Sequence, residues 1–224
     1  MSEGKTENPQ PIIKSGLNPE ESIGAFVLNA ADKLAAKLSE STIDQLTGLE
    51  NRRGLERAKA NFEVDRYPVL FIAADLDHLK LINDKYGHEA GDKYILSFVR
   101  LIKETFRPDD GVYRLGGDEF LIAVKNTKND PALSPENLSS RITNSLKVFN
   151  EKNLSDEDPN KRIDHPLAFT FAIESSHLVS SSQRLEEVNR AIKTADDKEV
   201  GLKQEKKDKQ KAQQNLVDQA STNE

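Results

Sequence analysis

Val112-Tyr-Arg-Leu-Gly-Gly-Asp-Glu-Phe-Leu-Ile-Ala-Val124 carries two short apolar runs, Val112–Leu115 and Phe120–Val124, on either side of Gly-Gly-Asp-Glu. Runs of that length around a glycine-rich break predict a β-hairpin. Gly116 and Gly117 have reasons to be glycine: a hairpin turn often calls for positive φ, and a missing Cβ lets a phosphate or ribose approach the backbone. Asp118 and Glu119 then fall in the turn. Taken alone, the tetrapeptide reads first as a plain tight turn with surface acids. Its surroundings change that reading.

Upstream, Ile95, Phe98, Val99, Ile102 and Phe106 recur at helical spacing within Ala90–Phe106. Before them, Pro68 closes a polar stretch and Val69-Leu-Phe-Ile-Ala-Ala74 follows, short and almost fully apolar. Its length and flanks predict a buried central strand. Asp44-Gln-Leu-Thr-Gly-Leu-Glu-Asn-Arg-Arg53 reads as a turn entering a helix whose inner face is Leu55, Ala58 and Phe62. Between Pro19 and Ser39, Ile23, Phe26, Val27, Ala30, Leu34 and Leu38 form one apolar stripe. That stripe suits a helix packed on its own domain and equally one paired with a copy of itself.

Downstream, Leu138, Ile142, Leu146 and Phe149 mark another helix, and Asn150–Pro166 a polar loop. Leu167, Phe169, Phe171 and Ile173 alternate as in a half-buried strand. Leu185, Val188 and Ile192 open a last helix, expected to fade into the charged stretch Lys203–Gln214. The order predicts an α/β (α+β) domain, a central mixed sheet flanked by helices. The expected division is a disordered arm over 1–18, an amphipathic helix over 19–42, a folded domain over 43–208 and a charged tail over 209–224.

Bulk properties exclude several classes of function. With no cysteine, neither a disulfide framework nor a thiolate metal site is available. A net charge of -6 and a pI near 5.4 argue against nucleic-acid binding by counterion release. No apolar run has the length of a membrane span, and the polar start Met1–Gln10 is no signal peptide, so a cytoplasmic protein is expected.

Chemistry concentrates in two acidic groups. Asp75-Leu-Asp77 ends the apolar strand, and Asp118-Glu119 lies in the hairpin turn. Carboxylates at such places project from a rigid sheet, and Mg²⁺ takes one or two of them together with phosphate oxygens. A nucleoside triphosphate site fits that pattern.

These residues resemble the GGDEF family of diguanylate cyclases. Arg114-Leu-Gly-Gly-Asp-Glu-Phe120 is similar to its signature, and Asp44–Arg53 to its opening motif. Asp75-Leu-Asp-His-Leu-Lys80, Asn83-Asp84 and Gly87-His-Glu-Ala-Gly-Asp92 match its strand-end and nucleotide-binding motifs in order and spacing. The resemblance implies a nucleotidyl-cyclase-like fold and the Mg²⁺-dependent condensation of two GTP molecules into cyclic di-GMP, with Mn²⁺ a possible substitute. Asp75, the carbonyl of Leu76, Asp118 and Glu119 would hold the metal, and Asp118 or Glu119 would take the proton from the attacking hydroxyl. Asn83 and Asp92 would read guanine, whose N1–H and amino group form a donor pair that adenine lacks. His88 lies in the same segment, and Lys80 would face the phosphates. Asp77 and Asp84 read better as caps, and Asn83, Asp92 and His88 also have plain capping or loop roles open to them. Two domains would face each other in a homodimer. Arg107-Pro-Asp-Asp110 resembles the family's RxxD site, where the product binds and inhibits.

The last third departs from the pattern. Ala172 and Glu174 stand where the family has serine and glycine, and Asp197-Lys-Glu-Val-Gly-Leu-Lys203 replaces its usual last-helix motif. Lys203 falls at a phosphate-contacting lysine and Lys207 at an arginine. A working cyclase is therefore the favoured reading, beside a regulatory module that binds GTP or cyclic di-GMP without turnover. A relative making another cyclic dinucleotide is disfavoured by Asp92.

Overall fold

The computed structural model describes residues 41–63, 68–126, 130, 133–157, 164–177, 179–180 and 183–222. The arm expected over 1–18 lies outside them, as does the amphipathic helix expected over 19–42 up to residue 40; Ser41 and Thr42 are described and are not helical. The elements in chain order are β1 (Glu50–Asn51), α1 (Arg52–Glu63), β2 (Val69–Leu76), α2 (Leu79–Tyr86) and α3 (His88–Thr105). Then follow β3 (Gly111–Arg114), β4 (Glu119–Lys125), α4 (Pro135–Asn153), β5 (Phe169–Ser175) and α5 (Arg184–Thr222). The five strands form one mixed sheet in the order β1-β3-β4-β2-β5. Among the described residues only β1 and β3 pair in parallel.

The apolar run becomes the sheet's central strand because both its faces are covered. Side chains alternate across a strand, so Leu70, Ile72, Ala74 and Leu76 face one core and Val69, Phe71 and Ala73 the other. The first core is closed by Phe98, Val99 and Ile102 of α3 and Leu138, Ile142 and Phe149 of α4. The second is closed by Leu55 and Phe62 of α1 and by Val188, Ala191 and Ala195 of α5. Burying each large side chain contributes roughly 1.5–3 kcal/mol. The resulting three-layer packing fixes where the ends of β2 and β4 point.

Several local details differ from expectation. The β3–β4 connection is a four-residue loop, Leu115–Asp118, closed by the Leu115 N–H donating to the Glu119 carbonyl at 2.8 Å. None of Leu115–Asp118 has left-handed backbone, and the described glycines at positive φ are Gly48 and Gly87. Gly87 has φ 86° where α2 breaks and α3 begins. Asn83 and Asp92 lie inside α2 and α3 and do not cap them.

The last helix does not fade. It runs unbroken through Gly201 and the charged stretch to Thr222. Past residue 203 the described side chains, 204–213, are all exposed. Helix-favouring Lys, Gln and Glu sustain it there, with Gln204 donating to Asp208 at 2.8 Å and Lys209 pairing with Glu205 at 3.9 Å one turn apart.

Candidate functional site

β2 and β4 run antiparallel with Asp75 opposite Glu119, so the strand end and the glycine-rich loop meet. The Leu76 N–H donates to the Asp118 carbonyl at 3.1 Å, closing the junction. Asp75 is sheltered at the C-terminal end of β2, and burial pushes its carboxyl above the usual range, helped by the nearby charges of Asp118 and Asp77. A Cβ on Gly117 would meet nothing within 4 Å, so the loop's backbone faces open space; one on Gly116 would come within 2.8 Å of Glu119 Oε2.

Cations from α5 meet this acidic end. Lys203 Nζ donates to Asp75 Oδ1, and Lys206 Nζ to Asp77 Oδ2. Burial alone would lower the Lys203 ammonium's pKa, but its bond to Asp75 together with the charges of Asp75, Asp118 and Glu199 raises it. Asp77 is a buried member of the site and not a cap: it also accepts from Thr170 Oγ1 at 3.1 Å. Lys206, rather than Lys207, takes the second cationic place, because residues 199, 203 and 206 lie along one face of a continuous helix. Glu199 on that face is only 4% exposed, and its Oε1 has no hydrogen-bond partner. Burial, then the charge of Asp75, pushes its carboxyl up to about 7.

Among the described residues no three His, Cys, Asp or Glu side chains gather as a complete metal cage. The donor set suits a cation that takes few carboxylates and completes its shell from phosphate and water. An ammonium already seated against Asp75 marks the place as one that holds positive charge.

The other expected residues divide into groups. Asn83 packs against α3 so closely that a Cβ on Gly91 would lie 1.9 Å from Asn83 Oδ1, and the exposed Asp92 is the next residue along α3. His88 is exposed as the first residue of α3. Lys80 is not drawn to the acidic end; it pairs with Asp84 at 2.9 Å on the exposed face of α2, which also gives Asp84 a partner in place of a capping role. Arg107 and Asp110 form a turn in which Asp110 Oδ2 accepts from the Arg107 backbone N–H at 2.9 Å. The Arg107 guanidinium has no partner among the described residues, so the motif is not a surface salt bridge.

Other contributors are not evident as such in the sequence. Arg114 donates to the Gly117 carbonyl at 2.7 Å, the Gly116 carbonyl at 3.2 Å and Asp44 Oδ1 at 3.0 Å. It therefore ties the glycine-rich loop to the Asp44–Leu49 turn, where Asp44 also accepts from the Thr47 hydroxyl at 2.6 Å. Arg52 lies 3.6 Å from Glu119 Oε2. Glu199 and Lys206 become legible only when their four- and three-residue spacings about Lys203 are placed on an unbroken helix.

The family model for the diguanylate cyclase GGDEF domain matches residues 41–210, spanning every strand and the α5 lysines. The chain belongs to the GGDEF family. This GGDEF domain is 31% identical over 191 residues to the diguanylate cyclase DgcP of Escherichia coli, covering 84% of the chain and 51% of that relative. It is 35% identical over 120 residues to the diguanylate cyclase DgcS of Shewanella oneidensis, covering 52% of the chain and 40% of DgcS. The chain thus spans about half the length, or less, of these curated relatives.

Among solved structures, a microbial GGDEF domain studied for its interaction with cyclic di-GMP is similar at a TM-score of 0.50 and 25% identity, covering 69% of this chain and 90% of that one. The coiled coil and GGDEF domain of DgcB from Caulobacter crescentus, in complex with c-di-GMP, shares the fold at a TM-score of 0.50 and 20% identity, covering 80% and 95%. No helix among the described residues is long and apolar enough to cross a membrane.

Proposed function

We propose that this GGDEF domain condenses two GTP molecules into cyclic di-GMP and pyrophosphate, acting as a homodimer with one GTP held by each domain. The observation that carries the reading is the register of Asp75 opposite Glu119, which joins the strand-end acids to the glycine-rich loop beneath two α5 lysines. Asp75, Asp118, Glu119 and the Leu76 carbonyl would hold Mg²⁺, or Mn²⁺ in its place. A bound divalent cation supplies charge neutralisation on the phosphate oxygens and polarises the phosphorus under attack.

The chain's own residues do the remaining work. Asn83 on α2 and Asp92 on α3 read the guanine edge, with His88 at the start of α3. Gly116 and Gly117 leave backbone open to the ribose and phosphates. Lys203 and Lys206 turn from their carboxylates to the phosphate oxygens, where an ammonium acts as a compact point charge. Lys80 is available for the same purpose, since an exposed pair such as Lys80–Asp84 is worth only about 0.3–0.5 kcal/mol. The 3′-hydroxyl of each GTP attacks the α-phosphorus of the other in two successive steps, Asp118 or Glu119 of each domain accepting the proton as one pyrophosphate departs per step, two in all. Arg107 and Asp110 bind the product and restrain the pair of domains. The Arg107 guanidinium, unpaired among the described residues, would offer two parallel donors to a phosphate or to the O6 and N7 edge of guanine.

Retention of Asp75, Asp118 and Glu119 favours turnover over a purely regulatory role, because a receptor has no need of metal-binding carboxylates. Incubation with GTP and Mg²⁺ followed by chromatography should yield cyclic di-GMP and pyrophosphate. Nucleotide binding without product at high protein concentration would leave the regulatory module standing instead. Asp118→Asn should lower turnover at least a hundredfold with an unchanged melting profile; near-native turnover would remove its assigned role.

A further inference from the structure

Glu199 has no part in the reading above, yet it is buried beside the acidic end of β2. Its Oε1 is buried and unpaired, and its carboxylate lies in the field of Asp75, Asp77, Asp196 and Lys203. A buried polar atom left unpaired is costly to the fold unless another state of the protein uses it. The only cation among those neighbours is Lys203, four residues further along α5. Glu before Lys at that spacing places the two side chains on one face, in the orientation that favours an ion pair. In the structure Lys203 is instead drawn across to Asp75.

A divalent cation bound at Asp75 would lie within a few ångströms of the Lys203 ammonium on the same carboxylate, and the repulsion between the two positive charges favours the ammonium's departure. We infer that Glu199 is the alternative acceptor for Lys203: when a divalent cation takes Asp75, the ammonium swings back along α5 to Glu199 Oε1. This rests on the reading of Asp75 as a metal ligand. Without Glu199, the displaced ammonium would stay half-buried with no counter-charge, close to the incoming cation. Glu199 is thus a positioning residue, acting on the metal through Lys203 and not by coordination. The two lysine contacts are not equivalent before nucleotide arrives: the cation at Asp75 displaces Lys203 to Glu199 while Lys206 stays on Asp77, and both ammoniums turn to the phosphates only once GTP is bound.

The test needs no turnover. Mn²⁺ is titrated into the full chain without nucleotide, and free Mn²⁺ is read from its electron paramagnetic resonance signal. Glu199→Leu and the near-isosteric Glu199→Gln should each raise the Mn²⁺ dissociation constant, by about tenfold for the leucine variant, as for loss of one charge-assisted hydrogen bond. Lys203→Met should tighten Mn²⁺ binding by removing the competing cation. Adding Glu199→Leu to Lys203→Met should then have no further effect.

Thermal melts of all four variants identify any that misfold, and the glutamine variant carries the test if the leucine variant does. Wild-type Mn²⁺ affinity in both Glu199 variants overturns the inference. So does an equal loss of affinity in the Lys203→Met background, which would mean that Glu199 attracts or binds the metal directly. Asp75→Asn serves as the separate check. Undiminished Mn²⁺ binding there, or no binding by the wild type, overturns the metal reading of Asp75 and the inference with it. Loss of binding in Asp75→Asn with unaltered Glu199 variants overturns the inference alone.

Discussion

Gly91 shows how much one absent methyl group can decide. A Cβ there would sit 1.9 Å from Asn83 Oδ1 and 2.8 Å from its Cγ, well inside van der Waals contact. Asn83 belongs to α2 and Gly91 to α3, so the missing Cβ is what lets Asn83 lie against α3 at Gly91. Gly91→Ala should therefore displace Asn83 and weaken GTP binding roughly tenfold or more, measured calorimetrically, at a stability cost of about 1–3 kcal/mol for the overpacking. Unaltered GTP affinity would show that Asn83 is not held for guanine. The sequence displayed this glycine inside a motif without showing its reason, because the clash is between helices. Asp77 teaches the same lesson. It reads as a cap beside a helix start, and only the pairing of β2 with β5 brings Thr170 to it.

At the scale of elements, the departures on β5 and α5 account for one another. Glu174, in place of a glycine, accepts from Arg190 at 3.1 Å and Lys198 at 2.6 Å, both on α5. Arg190 also donates to Glu187 at 2.8 Å and to the Ser175 carbonyl at 3.2 Å, while Ala172 is small and buried. The group staples the edge strand to the long helix. Hydrogen bonds from Arg190, with further help from the His177 backbone, hold the Glu187 carboxyl at about 2, below its ordinary 4.5. A depressed carboxylate contributes stability that is complete above its unfolded pKa and is lost as pH falls towards the folded one. Urea midpoints should accordingly fall between pH 4.5 and about 2. The decline should be shallower in Glu187→Gln, and equal slopes for the two proteins would remove Glu187 from the staple's acid response. The helical stripe of Leu185, Val188 and Ile192 was readable without the staple. The helix's continuation to Thr222 was not, since nothing apolar marks it and local propensity with one-turn ion pairs sustains it.

For the whole molecule, the proposed function requires two copies to face each other and gives the product a place to act back on them. Arg107 and Asp110 follow α3, with Arg107 exposed and its guanidinium free of described partners. Arg107→Ala should raise the cyclic di-GMP concentration needed for half-inhibition at least tenfold while the initial rate holds. Initial-rate assays with added product measure this, and unchanged inhibition would exclude the site.

The sequence by itself determined the sheet-and-helix class, the central strand, the hairpin and the family, because burial periodicity and motif spacing are local quantities. It also picked out the acids, Asp75, Asp118 and Glu119, since residue type at a strand end or turn already implies projection from a rigid sheet. Only the tertiary structure decided which cations meet them. Lys203 and Lys206 reach Asp75 and Asp77 from more than a hundred residues away, Lys80 remains with Asp84, and Glu199 is buried with one oxygen unpaired. Such pairings depend on how α5 lies across the end of β2, a consequence of packing that no local pattern encodes.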